Sequence, residues 1–336
     1  MHLEGATTVV GLSEDRRWNG IASIERTPGG RLYVVSYTGG PKEPHPENHV
    51  ILCWSDDAGE SWTEPIIVAE RPGTVSCVDP CLWVDPRGRL WLQHTVDDVG
   101  LKRPLSVRAS LRCDEPDADE PELEDLGVFC PEAGTIFTLN RATILGDERI
   151  LVPLVYCQDP TEPHQHYFAR PQLLGCAISD DEAETWRLSD RVEAPDSWSN
   201  ENVIVELRDG RLWMLARSRA GHLWQCHSDD RGETWGEVTA SEIPNHSSRF
   251  FIGRLASGRL MLVNNPEPGR DPMEVWLSED EGQTWPIRAE LMRGAVIAYP
   301  DAVQDPDGLV HCVVDVDRER VEYRCFTENG IVAAAR

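Results

Sequence analysis

One strand–turn–strand unit recurs six times along this 336-residue chain. The turn and second strand of its copies read PGGRLYVV (28–35), PRGRLWLQ (86–93), GDERILVP (146–153), RDGRLWML (208–215), ASGRLMLV (256–263) and PDGLVHCV (306–313). A short apolar run precedes each copy, so each is a hairpin whose Gly or Asp forms the turn. The copies are spaced about 48 to 62 residues apart, which is typical of propeller blades. The sequence therefore predicts an all-β fold, a six-bladed β-propeller of four-stranded antiparallel blades.

A second motif, Ser-x-Asp-x-Gly-x-Thr/Ser-Trp, recurs four times in step with the first. Its copies are SDDAGESW (55–62), SDDEAETW (179–186), SDDRGETW (228–235) and SEDEGQTW (278–285), with Ala183 in place of glycine in the second. Ser and Asp side chains hydrogen-bond the backbone of a tight turn, and glycine supplies a positive φ. We therefore expect these residues to be structural. The motif is similar to the Asp-box of the sialidase and BNR-repeat superfamily, and the resemblance covers nearly the whole chain.

The resemblance implies a sialidase-like propeller that occupies residues 1–336 as a single domain. The Gly-Arg-Leu turn joins strands A and B of a blade, and the Asp-box turn joins strands C and D. Because the strands are antiparallel, both turns lie on one face, and the long B–C and D–A loops lie on the other. Long loops carry function more often than short ones, so we expect the site there. The segment 7–12 is expected to close the ring beside the last blade.

Two segments resemble the parts of sialidases that carry the reaction. In blade four, SNENVIVELRDGRLWMLARSRAG is similar to a segment in which a glutamate opens strand A and an arginine ends strand B, which implies Glu201 and Arg217. In blade six, AYPDAVQDPDG resembles the segment of the tyrosine nucleophile, which implies Tyr299. A phenol attacks only when a base takes its proton, and Glu201 is the candidate base. The alternative is structural, with Tyr299 capping a strand and Glu201 bonding a loop.

Sialidases bind the substrate carboxylate with three arginines, because a guanidinium makes paired and directional contacts with it. The candidates for substrate binding on the loop face are Arg217, Arg249, Arg270 and Arg318. One family arginine is missing, because Gly20 stands where the resemblance places an arginine in blade one. This absence favours a binding propeller without catalysis as one alternative function.

The residue that protonates the leaving group is left open by the sequence. The aspartate that the family carries before strand C of blade one is not evident, and Glu47 and His49 stand near its place. Asp79, which enters blade two, is a third candidate acid, although an aspartate before proline is also a common turn residue. Glu47 and His49 are alternatively substrate-binding residues.

Other polar and aromatic residues of the loops have weaker implications. His164 and His166 could hold a metal together with Asp159 or Glu162, but contact with substrate is favoured, so no metal and no cofactor are predicted. Trp18, Trp198 and Trp224 lie near connections, where an aromatic ring can support a sugar.

Charge and cysteine content restrict the partners and the compartment. The net charge is −26, from 32 Lys and Arg against 58 Asp and Glu, so nucleic acid and anionic membranes are disfavoured as partners. The ten cysteines form no C-x-x-C pair, which favours buried thiols in a reducing compartment. The first eleven residues lack the basic start and apolar core of a secretory signal. A cytoplasmic location is expected.

Together these patterns predict that the protein is an enzyme with a carbohydrate substrate. The favoured function is an exo-acting glycoside hydrolase, similar to an exo-α-sialidase, that releases a terminal acidic sugar by a tyrosine and glutamate mechanism. Two alternatives remain, a carbohydrate lyase and the non-catalytic binding propeller, because related propellers carry several chemistries.

Overall fold

A computed structural model of the chain describes residues 5–98, 100, 106–133, 136–137, 140–156, 172–196 and 200–335. Six antiparallel sheets follow one another along the sequence, and each is ordered from an inner strand A to an outer strand D. This confirms the predicted six-bladed β-propeller. Among the described residues, no helix is long and apolar enough to cross a membrane.

The first three blades cover the N-terminal half of the described residues. Blade one contains β2 (Ser23–Arg26), β3 (Leu32–Thr38), β4 (His49–Ser55) and β5 (Ile66–Ala69). Blade two contains β6 (Val75–Val84), β7 (Leu90–Asp98), β8 (Ser106–Cys113) and β9 (Glu124–Val128). Blade three contains β10 (Ile136–Phe137), β11 (Thr143–Ile144), β12 (Ile150–Tyr156), β13 (Leu173–Ser179), β14 (Arg187–Leu188) and β15 (Val192–Glu193). Its inner and outer strands are each interrupted, so six short strands form four rows.

The last three blades are more regular. Blade four contains β16 (Asn200–Glu206), β17 (Leu212–Arg217), β18 (His222–Ser228) and β19 (Thr239–Pro244). Blade five contains β20 (Phe251–Arg254), β21 (Leu260–Asn264), β22 (Met273–Ser278) and β23 (Ile287–Met292). Blade six contains β24 (Ile297–Gln304), β25 (Leu309–Val316) and β26 (Arg320–Thr327), with β1 (Ala6–Val10) as its outer strand. Two 3₁₀ turns, Pro131–Ala133 and Pro268–Arg270, and one helix, α1 (Glu328–Ala334), complete the described elements.

The ring is closed by strands from both ends of the chain. β1 pairs with β26 in antiparallel register, from Ala6 opposite Arg324 to Val10 opposite Val321. Because β26 would otherwise present an unpaired edge, this pairing joins the N-terminal segment to the last blade, as the sequence predicts. The C-terminal helix was not expected from the sequence.

The Asp-box turns are held by the hydrogen bonds that their composition predicts. In blade one, Ser55 Oγ accepts the Gly59 N–H at 2.9 Å, and Asp57 Oδ1 accepts the Ser61 N–H at 2.8 Å. The hydrogen bonds that Asp57 accepts from the Ser61 hydroxyl, the Ser61 N–H and the Ser55 hydroxyl lower its pKa to about 2. The other three boxes repeat the same bonds, including the one in which Ala183 adopts a φ of +68°. The Asp-box residues are therefore structural.

Candidate functional site

One large cavity of the described structure does not contain the predicted site residues. It measures about 770 Å³ and lies along the strand-A residues near the A–B turns, where Arg141 pairs with Glu25 and Asp301. The residues predicted to react lie at the opposite ends of the inner strands, on the loop face. The site is therefore defined by its charged groups rather than by the size of a cavity.

The inner strands of blades two, four and six contain the same irregularity. Two residues of strand A oppose one residue of strand B at Asp79–Pro80, Glu201–Asn202 and Tyr299–Pro300. The first residue of each bulge is left-handed, with φ of +53° for Asp79 and +54° for both Glu201 and Tyr299. Proline at the second position has no N–H to give to the ladder, which is consistent with a bulge in two of the three strands. The three catalytic candidates thus occupy equivalent places in alternate blades.

Glu201 and Tyr299 meet at the same arginine. Arg217 Nη1 lies 2.7 Å from Glu201 Oε1, and both side chains are buried. Burial lowers the pKa of Arg217, but the Glu201 carboxylate and the Tyr299 phenol outweigh it and raise that pKa above its ordinary value. No direct hydrogen bond joins Tyr299 to Glu201 among the described residues. Glu201 Oε2 is buried and has no hydrogen-bond partner in the same set.

Three further guanidinium groups surround the ring of Tyr299. Their Cζ atoms lie 5.8 Å from the ring centroid for Arg249, 5.0 Å for Arg270 and 4.9 Å for Arg318. The four predicted arginines, which come from blades four, five and six, are therefore brought together around one phenol. A local cationic cluster of this kind attracts an anion even in a protein with a net charge of −26.

The arginines of the cluster differ in their partners. Arg318 is paired with Glu43 Oε1 at 2.6 Å and with Asp315 Oδ2 at 3.1 Å. Arg270 donates from Nη2 to the Ser247 carbonyl at 3.1 Å, and no ion pair joins it to a carboxylate in the described parts of the chain. Arg270 is therefore the guanidinium of the cluster best able to donate hydrogen bonds to the carboxylate of a ligand.

The sequence prediction missed Glu43. Its Oε2 accepts a hydrogen bond from the Tyr37 hydroxyl, and its Oε1 meets Arg318. Burial raises the pKa of Glu43, while Arg318 and Arg270 act to lower it. The signal was present, since Glu43 lies in the loop between strands B and C of blade one. The two residues predicted from that loop, Glu47 and His49, lie closer to the start of strand C.

Glu47 and His49 are not brought to the arginine cluster. The Glu47 side chain is 72% exposed and lies 3.9 Å from His45. His49 Nδ1 lies 3.0 Å from the Glu47 carbonyl oxygen. Both residues belong to the outer part of the blade-one loop, and Glu43 is the carboxylate of that loop that reaches the cluster.

The glycine in blade one has a physical explanation. A Cβ on Gly20 would lie 2.2 Å from Cε1 of the buried Tyr37 ring, so no larger residue fits without displacing that ring. The Arg318 hairpin of blade six lies beside this point, because the Asn19 N–H donates to the Arg318 carbonyl at 2.8 Å. The Arg318 guanidinium reaches the same region, because it binds Glu43, which also accepts a hydrogen bond from the Tyr37 hydroxyl. It therefore lies near the position where the resemblance places an arginine in blade one.

Asp79 has an environment that favours the protonated form of its carboxyl group. It is 7% exposed. Burial raises its pKa well above the ordinary value, and the charges of Glu43 and Asp97 raise it further, against the lowering effect of Arg108. A neutral carboxyl near Glu201 and Glu43 can donate a proton to a leaving group.

The remaining candidates have structural partners or fall outside the described residues. Trp18 Nε1 donates to the carbonyls of Gly39 and Gly40 at 3.2 and 3.0 Å, and its side chain is buried, so it holds the blade-one loop. Trp224 Nε1 donates to Asp196 at 3.1 Å. Five of the residues singled out from the sequence lie outside the described ranges: Asp159, Glu162, His164, His166 and Trp198. Within those ranges, no group of three or more His, Cys, Asp and Glu side chains could hold a metal ion.

Comparison with known proteins identifies the family of the chain. The BNR repeat-like domain matches residues 30–312. The chain belongs to this family, within the sialidase superfamily. This BNR-repeat chain is 26% identical over 327 residues to a sialidase from Micromonospora viridifaciens, with 86% of this chain and 48% of that protein covered. It is 25% identical over 178 residues to a sialidase from Vibrio cholerae, with 43% of this chain and 22% of that protein covered. The BNR-repeat chain thus spans half or less of the length of these relatives.

Solved structures show the same propeller. A sialidase from Streptococcus pneumoniae superposes with a TM-score of 0.76 at 15% identity, covering 96% of this chain and 71% of that one. A protein of unknown function from Dyadobacter fermentans superposes with a TM-score of 0.75 at 18% identity, covering 96% of this chain and 98% of the other. At these identities the likeness concerns the fold, and the chemistry of the BNR-repeat chain is argued from its own residues.

Proposed function

We propose that this protein is an exo-acting glycoside hydrolase that releases a terminal acidic sugar. The observation that carries the proposal is the convergence of four arginines on Tyr299, with Glu201 bound to one of them. An arginine cluster suits a sugar that bears a carboxylate, because guanidinium and carboxylate groups form paired hydrogen bonds. Arg270 supplies the contact that no protein carboxylate takes among the described residues, and Arg217 and Arg318 flank it.

In the proposed reaction, Tyr299 attacks the anomeric carbon of the bound sugar. Its phenolic proton passes to Glu201, whose Oε2 has no hydrogen-bond partner in the described structure. The bond from the anomeric carbon to the leaving oxygen breaks, and that oxygen takes the proton of Asp79. Water then attacks the sugar bound to Tyr299 and gives a proton to the Asp79 carboxylate, and Glu201 returns its proton to the phenolate. Tyrosine nucleophiles of this kind are known among sialidases.

The test is removal of the phenolic oxygen. Tyr299→Phe is expected to lower kcat by about 10³-fold or more on a fluorogenic glycoside of a sugar acid, since the covalent route is lost. Tyr33→Phe is the matched control, because Tyr33 is also buried and donates to the Pro116 carbonyl at 2.6 Å away from the cluster. Both variants should keep the unfolding midpoint within a few degrees of each other.

Near-normal turnover by Tyr299→Phe would contradict the hydrolase mechanism. If the unchanged protein binds a sugar acid and cleaves no glycoside of it, the binding propeller is the better description. A product with a new carbon–carbon double bond would indicate the lyase.

A further inference from the structure

The three left-handed residues of the site share a second feature, which concerns their carbonyl groups. A bulge leaves its extra residue outside the regular ladder, so the carbonyl of that residue needs another donor when it is buried. Asp79, Glu201 and Tyr299 are all buried, at 7%, 1% and 6% exposure. The donor that each carbonyl finds therefore contributes to the conformation of the bulge.

Each of the three carbonyls accepts a hydrogen bond from a buried side chain. Arg108 Nη1 donates to the Asp79 carbonyl at 2.7 Å. Asn140 Nδ2 donates to the Glu201 carbonyl at 2.8 Å, and Arg249 Nη2 donates to the Tyr299 carbonyl at 3.2 Å. The donors are 0%, 7% and 1% exposed, respectively.

Two of these donors reach across blade boundaries. Asn140 lies in blade three and holds two consecutive carbonyls of blade four, those of Glu201 and Asn202, the second at 3.1 Å. Arg249 precedes the inner strand of blade five, and its Nη2 also lies 2.7 Å from the Ala22 carbonyl of blade one. Arg249 was predicted to bind substrate, but this amino group is turned toward backbone carbonyls.

We propose that Arg108, Asn140 and Arg249 are positioning residues that hold the three bulges in their left-handed conformation. A residue with a side chain is strained at positive φ, and it keeps that conformation only when its surroundings impose it. If a bulge returned to regular strand geometry, the register of strand A would shift by one residue, and side chains would turn to the opposite face of the sheet. The three donors thus keep Glu201 and Tyr299 beside the arginine cluster and fix the backbone from which the Asp79 side chain projects.

The test uses Asn140→Leu, which keeps the volume of the side chain and removes its donor. Thr143→Val is the matched control, because Thr143 Oγ1 donates across the same blade boundary to the Ile204 carbonyl at 2.6 Å, outside the bulge. In a crystal structure of Asn140→Leu, we expect Glu201 to leave positive φ and to lose its contact with Arg217. Thr143→Val should keep both features.

The kinetic part of the test rests on the proposed function. A misplacement of about 1 Å can cost about 10²-fold in rate, so we expect Asn140→Leu to lower kcat by about 10²-fold with less than about a threefold change in KM. Arg249→Lys retains donors for the Tyr299 carbonyl and should keep most of the rate that Arg249→Met loses. If Asn140→Leu does not fold, the two Arg249 variants still test whether a side-chain donor holds the bulge at Tyr299.

The structural part of the test does not depend on any activity. If Glu201 in Asn140→Leu, or Tyr299 in Arg249→Met, keeps its left-handed φ and its contacts, the donors do not position the bulges and the inference is wrong. If the unchanged protein has no hydrolase activity while the bulges relax in the variants, the proposed function fails and the positioning role stands.

Discussion

At the scale of single residues, burial and neighbouring charge give different chemistry to identical groups. The Asp57 carboxyl, bonded by Ser61 and Ser55, has its pKa lowered to about 2. Asp315 is buried beside Arg318, and its pKa is raised to about 6, chiefly by burial. Burial and the charge of Glu43 also raise the pKa of Asp79 well above its ordinary value. Burial therefore separates the two buried carboxyl groups, Asp79 and Asp315, from the exposed Asp57 of the Asp-box.

Asp79 and Glu43 can be distinguished as proton donors by the leaving group of the substrate. Asp79→Asn should lower kcat strongly on a sugar acid joined to another sugar and only slightly on one joined to a nitrophenol, because a good leaving group needs no proton. Glu43→Gln should affect both substrates alike, since Glu43 is bonded to Tyr37 and Arg318. Steady-state kinetics on the two substrates measures this. The reverse pattern would make Glu43 the acid.

Asp315 predicts a particular dependence of stability on pH. Its pKa in the folded protein is about 6, above the value near 3.9 of an unfolded chain. The folded state therefore binds the proton more tightly, and stability falls as pH rises from about 4 to about 7, by roughly 2 kcal/mol from this group. Urea unfolding across that range measures the effect. Asp315→Asn should remove this part of the slope, and an unchanged slope would contradict the assignment.

At the scale of elements, a repeated turn tolerates exceptions when packing compensates for them. Blade three places Ala183 at a φ of +68° where three other Asp-boxes have glycine, and it places Glu148 at +70° where the other five A–B turns have glycine. Ala183 is buried among the apolar residues of blades two and three. The gain from burying its methyl group, about 0.8 kcal/mol, is comparable with the strain of a left-handed alanine, about 1 kcal/mol.

These magnitudes predict that substitutions at two equivalent turns change stability by different amounts. Ala183→Gly should change the free energy of unfolding by less than about 1 kcal/mol, because relief of strain and loss of burial offset each other. Gly59→Ala should destabilise by about 2 kcal/mol or more, because the new Cβ would lie 2.4 Å from the Tyr323 ring at a φ of +90°. Denaturant unfolding of the two variants measures the difference. If both variants lost the same free energy of unfolding, the difference in packing between the two turns would be contradicted.

At the scale of the whole molecule, the ring depends on a strand that is remote in sequence from its partner. Val9 and Val10 of β1 are 8% and 2% exposed and pack against apolar residues of blades one and six. Asn19 also joins blade one to the Arg318 hairpin of blade six, next to the site. The closure of the propeller and the geometry of the cluster are therefore linked through the same pair of blades.

Replacing both valines of β1 by serine tests this closure. The double variant Val9→Ser, Val10→Ser should lose about 3 kcal/mol or more of stability, since each buried valine contributes about 1.5 kcal/mol or more. Thr8→Ser, at an exposed position of the same strand, is the control and should change stability by less than about 0.5 kcal/mol. Thermal and urea unfolding measure both. An unchanged midpoint for the double variant would mean that β1 does not close the ring.

The sequence by itself determined the blade count, the Asp-box turns, the ring closure and the face expected to carry the site. These features follow from local rules, since turn residues and strand periodicity repeat with each blade. The resemblance also indicated Tyr299, Glu201 and the arginines, which the structure brings together.

Only the tertiary structure decided which groups of the remote loops meet. Glu43, rather than Glu47 or His49, reaches the arginines because Tyr37 and Arg318 hold it, and these partners lie on different blades. The left-handed bulges and their donors were equally invisible to sequence reasoning, because Asn140 and Arg249 bond carbonyls of other blades. Contacts between distant segments depend on how the blades pack around the axis, and no short stretch of sequence records that packing.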